Sequence, residues 1–153
     1  NVKQGPGSVV QFIQGTPNNI NNRSSSNSNS SFSSTGNVVS ITPTNSSNLI
    51  VVGGFFTTYV DTDSRGIHLT IYNSNLSTHD ANQESGVYYH DKSPWMQCPI
   101  KYSCTAGTTS QIDFTLYHMR YGASSGNAYV GWSSSPGSTN KNWNDMWAME
   151  VVA

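Results

Sequence analysis

The groups in this sequence best suited to carry a reaction are its eight carboxylates: Asp61, Asp63, Asp80, Glu84, Asp91, Asp113, Asp145 and Glu150. A glycosidase needs two of them about 5 to 9.5 Å apart, one in a pocket that raises its pKa. No spacing among the eight singles out such a pair. The chain is rich in Ser but contains no G-x-S-x-G, so no nucleophile is marked. DTDSRG (61–66) starts like a calcium loop, yet Arg65 stands where a ligand belongs and the twelfth position is Tyr72. The histidines His68, His79, His90 and His118 never fall at His-x-His spacing. His68 and His118 read as partly buried, hydrogen-bonded strand residues. The expectation is a protein that is not an enzyme and uses no metal and no cofactor.

Recognition is the better-supported chemistry. Trp95 and Trp143 lie in polar loop contexts beside Asn, Asp and Lys. A flat ring can stack on the apolar face of a sugar while amides and charges bind its hydroxyls. The candidate contact residues are Tyr88, His90, Asp91, Lys92 and Trp95 in one segment (88–96). In a second segment (138–145) they are Asn140, Lys141, Asn142, Trp143 and Asp145. The competing reading is that the two Trp cap the domain or pack at a subunit contact. Trp132 and Trp147 fall in strand patterns and read as packing.

These loops need a frame. A chain of 153 residues is most simply one domain, long enough to bury roughly two thirds of its unfolded surface. Only 10% of residues are charged, against about 25% in ordinary soluble domains. Ser, Asn, Thr and Gly make up the difference. A net charge of -1 gives no electrostatic case for nucleic acid or an anionic membrane. No stretch approaches the ~18 consecutive apolar residues of a membrane-spanning helix.

The helix signal is almost absent and the strand signal recurs. SVVQFIQ (8–14), NVVSITP (37–43), NLIVVGGFFTTYV (48–60) and GIHLTIYN (66–73) read as strands. So do GVYYHD (86–91), MQCPIKYSC (96–104), SQIDFTLYHMRY (110–121), NAYVGWS (127–133) and DMWAMEVV (145–152). Alternation puts Ile67, Leu69 and Ile71 on one face, and likewise Ile112, Phe114 and Leu116. Gly53-Gly54 suggests a bulge or bend, and SSGN (124–127) a hairpin turn. The polar stretch over 18–36 reads either as a flexible linker or as a polar loop or edge strand of the fold, with a short strand near 31–35 around Phe32. If 98–104 is one extended strand, Cys98 and Cys104 stand ~20 Å apart and stay free thiols; a sharp turn at Pro99 would allow a disulfide. The fold class is all-β: eight or nine antiparallel strands in a sandwich or barrel.

The order of segments supports a more specific reading. GSVVQFIQGT is followed by a Ser/Thr/Asn-rich stretch, then VVSITPTNSSNLIVV, IHLTIYNSN, a proline-led strand running into TAGTTSQIDFTLYHMR, and a closing MWAMEVVA. This succession resembles the C-terminal domain of phage tail fibres and related phage structural proteins, of the type found in marine and cyanobacterial phages. The resemblance implies a jelly-roll-like sandwich that assembles as a homotrimer at a fibre tip, and a chain that is the C-terminal piece of a longer fibre protein. It implies attachment to a host bacterial surface receptor, glycan or protein, within a virion assembled in the host cytoplasm. Free cysteines suit that compartment. The segments YHDKSPWMQCP (89–99) and WSSSPGSTNKNWNDMW (132–147) are not generic to the family and are where individual specificity belongs. The rivals are a monomeric carbohydrate-binding module or lectin, and a purely structural virion decoration protein.

Overall fold

The computed structural model describes residues 5–15, 24–26, 28, 30–60, 66–79, 87–89, 96–122, 126–131 and 144–153. Eleven strands form among them, and no helix. They are β1 (Val9–Gln14), β2 (Ser24–Ser26), β3 (Ser33–Ile41), β4 (Leu49–Val60), β5 (Gly66–Asn73) and β6 (Thr78–His79). Then follow β7 (Val87–Tyr89), β8 (Met96–Thr105), β9 (Ile112–Tyr121), β10 (Ala128–Val130) and β11 (Asp145–Val151).

All pairings are antiparallel and fall into two sheets. In the first, β11 lies between β1 and β4, and β8 pairs with the other edge of β4. Thr58 pairs with both Met96 of β8 and Val130 of β10, so β10 shares the β11 side of β4. Strand β2 extends that row beyond β10. In the second sheet, β9 lies between β3 and β5, and β6 and β7 pair with the free edge of β5. Strand β1 therefore meets β11, β3 meets β9, β4 meets β8, and β5 meets β7. That nested order is a long antiparallel ribbon wound on itself, the topology of a jelly roll.

The core is what strand alternation dictates. Val39, Ile41, Ile67, Leu69, Ile71, Ile112, Phe114 and Leu116 point inward from the second sheet. They meet Ile50, Val52, Phe56, Cys98, Ile100, Met146 and Ala148 from the first. Phe56 and Phe114 are fully buried, each contributing roughly 1.5–3 kcal/mol of transfer free energy.

Three local expectations are corrected. Gly53-Gly54 makes no bulge: β4 keeps an unbroken register with β11 and β8 on either side. Glycine is needed for close approach instead. A methyl on Gly53 would overlap the Trp147 ring, and one on Gly54 would overlap the Asp145 carbonyl oxygen. SSGN does not close a hairpin, because β9 and β10 belong to different sheets. The strand expected near 31–35 is continuous with the next one as β3, with a register break between Ser34 and Val38.

Strand β8 runs straight through Pro99, which pairs with Phe55. Pro lacks a donor and is tolerated because β8 is an edge strand. Both cysteines are free. Cys98 is buried with Sγ 3.1 Å from Thr58 Oγ1, and Cys104 is half-buried.

Candidate functional site

Strand directions give the sandwich two distinct ends. At one end, Val9 pairs with Val151 and Val151 with Leu49. There the Val152 amide donates to the Ser8 carbonyl and the Gly7 amide to the Val152 carbonyl. The 42–48 and 106–111 connections lie at this base, tied by bonds from Ala106 N to Asn48 O and from Gly107 N to Ser46 O.

One side chain organises the base. Glu150 points inward from β11 and is 0% exposed. Its Oε1 accepts from the Thr44 amide and hydroxyl, both at 2.8 Å, from the Asn45 amide at 3.3 Å and from Asn48 Nδ2 at 2.7 Å. Its Oε2 accepts from Gln11 Nε2 at 2.6 Å. Burial by itself pushes this carboxyl up, but the bonds from Asn48, Gln11 and Thr44 outweigh it and hold the pKa below the ordinary carboxylate range. Five donors to one carboxylate leave it no capacity for acid–base work. The role is structural, and sequence patterning gave no sign of it beyond a charge in an apolar strand.

The opposite end is the tip. The last residues of β4 pair with Met96, the start of β8, and with β10. Asp145, the start of β11, pairs with Phe55. Gly66, the start of β5, pairs with Tyr121 at the end of β9 and with Tyr89 at the end of β7. The anchors of the 90–95 and 132–143 connections therefore stand at one end of the sandwich, away from Gly7 and Val152. Of the expected contact residues, His90, Asp91, Lys92, Trp95, Asn140, Lys141, Asn142 and Trp143 lie outside the described residues. Tyr88 is on β7, its backbone paired with Ile67. Asp145 opens β11 on the outer face, where Oδ1 accepts from Gln14 Nε2 at 3.2 Å.

Two further surfaces were not singled out by the sequence. On the outer face of the second sheet, Phe32, His68, Tyr72, His79 and Tyr117 form one ring cluster. Phe32 lies 4.9 Å from His68 and 5.0 Å from His79, and His79 lies 4.8 Å from Tyr117 between ring centroids. Burial lowers the pKa of both His68 and His79, so both favour the neutral form. The signal was available: His68 and Tyr72 share the outward side of one strand, and Tyr117 that of its neighbour. Inside the same sheet His118 is fully buried, Nδ1 donating to the Ser33 carbonyl at 3.1 Å, and burial pulls its pKa down to about 4.

The outer face of the first sheet is largely apolar along β1, β11 and β4, while β8 contributes exposed Gln97, Lys101, Ser103 and Thr105. Reading across it, Phe12, Met149 and Val51 align in one row, and Val9, Val151 and Leu49 in the next. Trp147 lies over Gly53 and stacks on Phe12 with centroids 5.9 Å apart. Among the described residues no cluster of three metal-ligating side chains occurs. Asp113 and Asp145 stand on the outer faces of different sheets, so they do not form a catalytic pair.

No protein-family profile matches the chain, and no curated protein matches it. Among solved structures it is similar to that of infectious bursal disease virus Gt strain, at 13% identity and TM-score 0.47. It is similar also to that of the Gx strain, at 14% and 0.48. A third is the VP2 subviral particle of the same virus, at 13% and 0.46. Each match covers 94% of this chain but only 37–38% of the other. At this identity and TM-score they carry no part of the functional reading.

Proposed function

We propose that this chain is the receptor-binding domain of a virion attachment fibre of the phage tail-fibre type. It assembles as a homotrimer and presents its tip loops to a glycan on the host bacterial surface. The observation that supports this reading is the common anchoring of the two Trp-containing connections, 90–95 and 132–143, at the tip, opposite the end where Gly7 and Val152 meet. A fibre held at the base would turn the anchors of both connections, at Tyr89, Met96, Gly131 and Asn144, away from its shaft. Each site binds weakly, and three copies per tip supply the avidity.

The test is binding of the purified chain to a broad panel of bacterial cells and surface polysaccharides, beside the Trp95→Ala/Trp143→Ala variant. The expected result is binding by the wild type and at least a tenfold loss in the variant, with unchanged melting. Equal binding by the variant, or no binding across the panel, overturns the tip site. A trimer without any binding favours a purely decorative virion protein. A monomer that binds glycans favours the lectin reading.

A further inference from the structure

We infer that the segment entering β3, up to Ser34, is an acid-released clasp, held against the second sheet by three histidines and separated from the rest of β3 by the register break that follows it. This goes beyond the attachment reading and does not rest on it.

Three of the chain's four histidines converge on two consecutive residues of this segment. On the outer face of the sheet the Phe32 ring sits between His68 of β5 and His79 of β6, with centroids 4.9 and 5.0 Å away. Thr70 points outward between His68 and Tyr72, yet it is only 1% exposed; the ring cluster roofs it. On the inner face His118 of β9 holds the next residue, its Nδ1 3.1 Å from the Ser33 carbonyl oxygen. Upstream, the Arg120 amide donates to the Ser28 carbonyl.

The register break makes the segment separable. Ser33 and Ser34 pair with His118 and Tyr117, and regular pairing resumes only at Val38. Within the break Gly36 takes a φ of 74°, a left-handed conformation that glycine adopts without strain. Thr35 stays anchored, its hydroxyl donating to the Leu116 carbonyl. The two-residue ladder before Thr35 can therefore open as a local unit while the rest of β3 remains in the sheet.

The clasp suits uncharged imidazoles. His79 Nδ1 and His118 Nε2 are buried with no hydrogen-bond partner, so a proton added at either atom meets no acceptor. The groups that face the three rings supply no counter-charge among the described residues. His68 meets Phe32, with Val87 of β7 and Met119 of β9 paired to its backbone. His79 meets Phe32, Tyr72 of β5 and Tyr117 of β9. His118 faces the backbones of Ser33 and Ala128, and Arg120, a cation, follows it on the inner side of β9. Asp113, the carboxylate of β9, is four residues from Tyr117, roughly 13 Å along the strand. Burial lowers all three histidine pKa values, and at His118 it outweighs the pull of the Ser33 and Ala128 backbones and brings the value to about 4. A released ring regains water and its ordinary value of 6.5. The closed form is therefore fully favoured above about 6.5 and loses ground as pH falls. At about pH 5 the rewetting of His118 alone shifts the balance roughly 30-fold toward the open form.

The experiment is residue-resolved amide hydrogen exchange of the full chain by NMR at about pH 7.5 and about pH 5, corrected for the intrinsic pH effect. The reporter is the Arg120 amide, whose bond to Ser28 breaks when the clasp lifts, and the reference is the β4 ladder. The Arg120 amide is expected to exchange at least tenfold faster than β4 at the higher pH, and to lose at least a further tenfold of protection at the lower. Protection equal to that of β4, or no loss in acid, overturns the clasp. Phe32→Ala is expected to cut the Arg120 protection at least tenfold already at the higher pH, and unchanged protection overturns the latch. His68→Phe/His79→Phe keeps the outer rings and removes their protons, and His118→Gln removes the inner one. Each is expected to shrink the pH dependence at least threefold, and an unchanged dependence in either overturns the histidine clasp. Should His118→Gln fail to fold, the outer-face variant decides.

Discussion

Asn48 and Glu150, 102 residues apart in the chain, meet at 2.7 Å with the amide donating to the carboxylate. The contact joins the TPTNSSN turn to the last strand. The carboxylate holds these two distant segments together through Thr44, Asn45 and Asn48. The turn presents its Thr44 and Asn45 amides, its Thr44 hydroxyl and the Asn48 amide toward one point, and only an acceptor-rich group can satisfy them all. Removing it strands those donors. Glu150→Ala is expected to lower unfolding stability by about 3 kcal/mol, and Glu150→Gln by less, as read from urea denaturation at fixed protein concentration.

The acid response should separate into two windows. His118 has its pKa lowered by burial from 6.5 to about 4. The unfolded chain binds the proton more readily, so this site makes stability fall as pH drops from about 6.5 toward 4. The loss is on the order of 3 kcal/mol. Glu150 has a folded pKa below its unfolded one, so its stabilisation is complete above about 4.5 and is lost as pH falls below that. Urea midpoints across pH should show both slopes. His118→Gln is expected to remove most of the upper one, leaving the share of His68 and His79, whose pKa values burial also lowers, and to leave the lower; an undiminished upper slope would assign it elsewhere.

The two glycines of β4 should respond differently to alanine. At Gly53 the obstacle is the far edge of the Trp147 ring, which can tilt. Gly53→Ala is therefore expected to cost about 1–2 kcal/mol and to shift Trp emission. At Gly54 the obstacles are the Asp145 backbone carbonyl and the Phe56 ring, a core side chain. Gly54→Ala must move the β4–β11 ladder and is expected to be the more damaging of the two. The reverse order of stabilities would show that the ring, not the backbone, is the rigid neighbour.

The thiols should be slow. Burial pushes up the pKa of both Cys98 and Cys104, opposed by hydrogen bonds from Thr58 at the first and from Tyr102 and Asn73 at the second. A thiol-reactive dye is expected to label the half-buried Cys104 before the buried Cys98, and both rapidly only in denaturant. Reductant should leave the melting temperature unchanged. A fall in melting temperature on reduction would contradict the free-thiol state.

Most strands were legible because alternation is a local property. Ile67, Leu69 and Ile71 mark β5 without any knowledge of its partners, and Ile112, Phe114 and Leu116 mark β9 in the same way. Strand β6, with only Thr78 and His79, was missed because it carries no apolar residue to alternate, and the three serines of β2 allowed an edge strand within 18–36 only as one of two readings. What local pattern could not show was which strand meets which. SSGN looks like a hairpin turn whether the flanking strands pair or cross between sheets. The Gly53-Gly54 pair looks like a bend until Trp147, almost a hundred positions later, is seen lying on it. Glu150 looked like an ordinary charge in a terminal strand because its donors come from residues 11, 44, 45 and 48. Of the expected contact residues, Asp145 alone has a described side chain, held by Gln14 at the tip.

The insertion of β11 between β1 and β4 also fixes when this fold can form. A ribosome releases β1 first, yet the neighbour it must bond to is the last strand made. Until then β1 has no ladder, and β4, whose apolar inner face is the longest in the domain, is bordered on its β11 side by the three residues of β10 alone. Folding therefore waits for the whole domain to leave the exit tunnel, and the waiting chain carries unpaired apolar edges of the kind that invite aggregation.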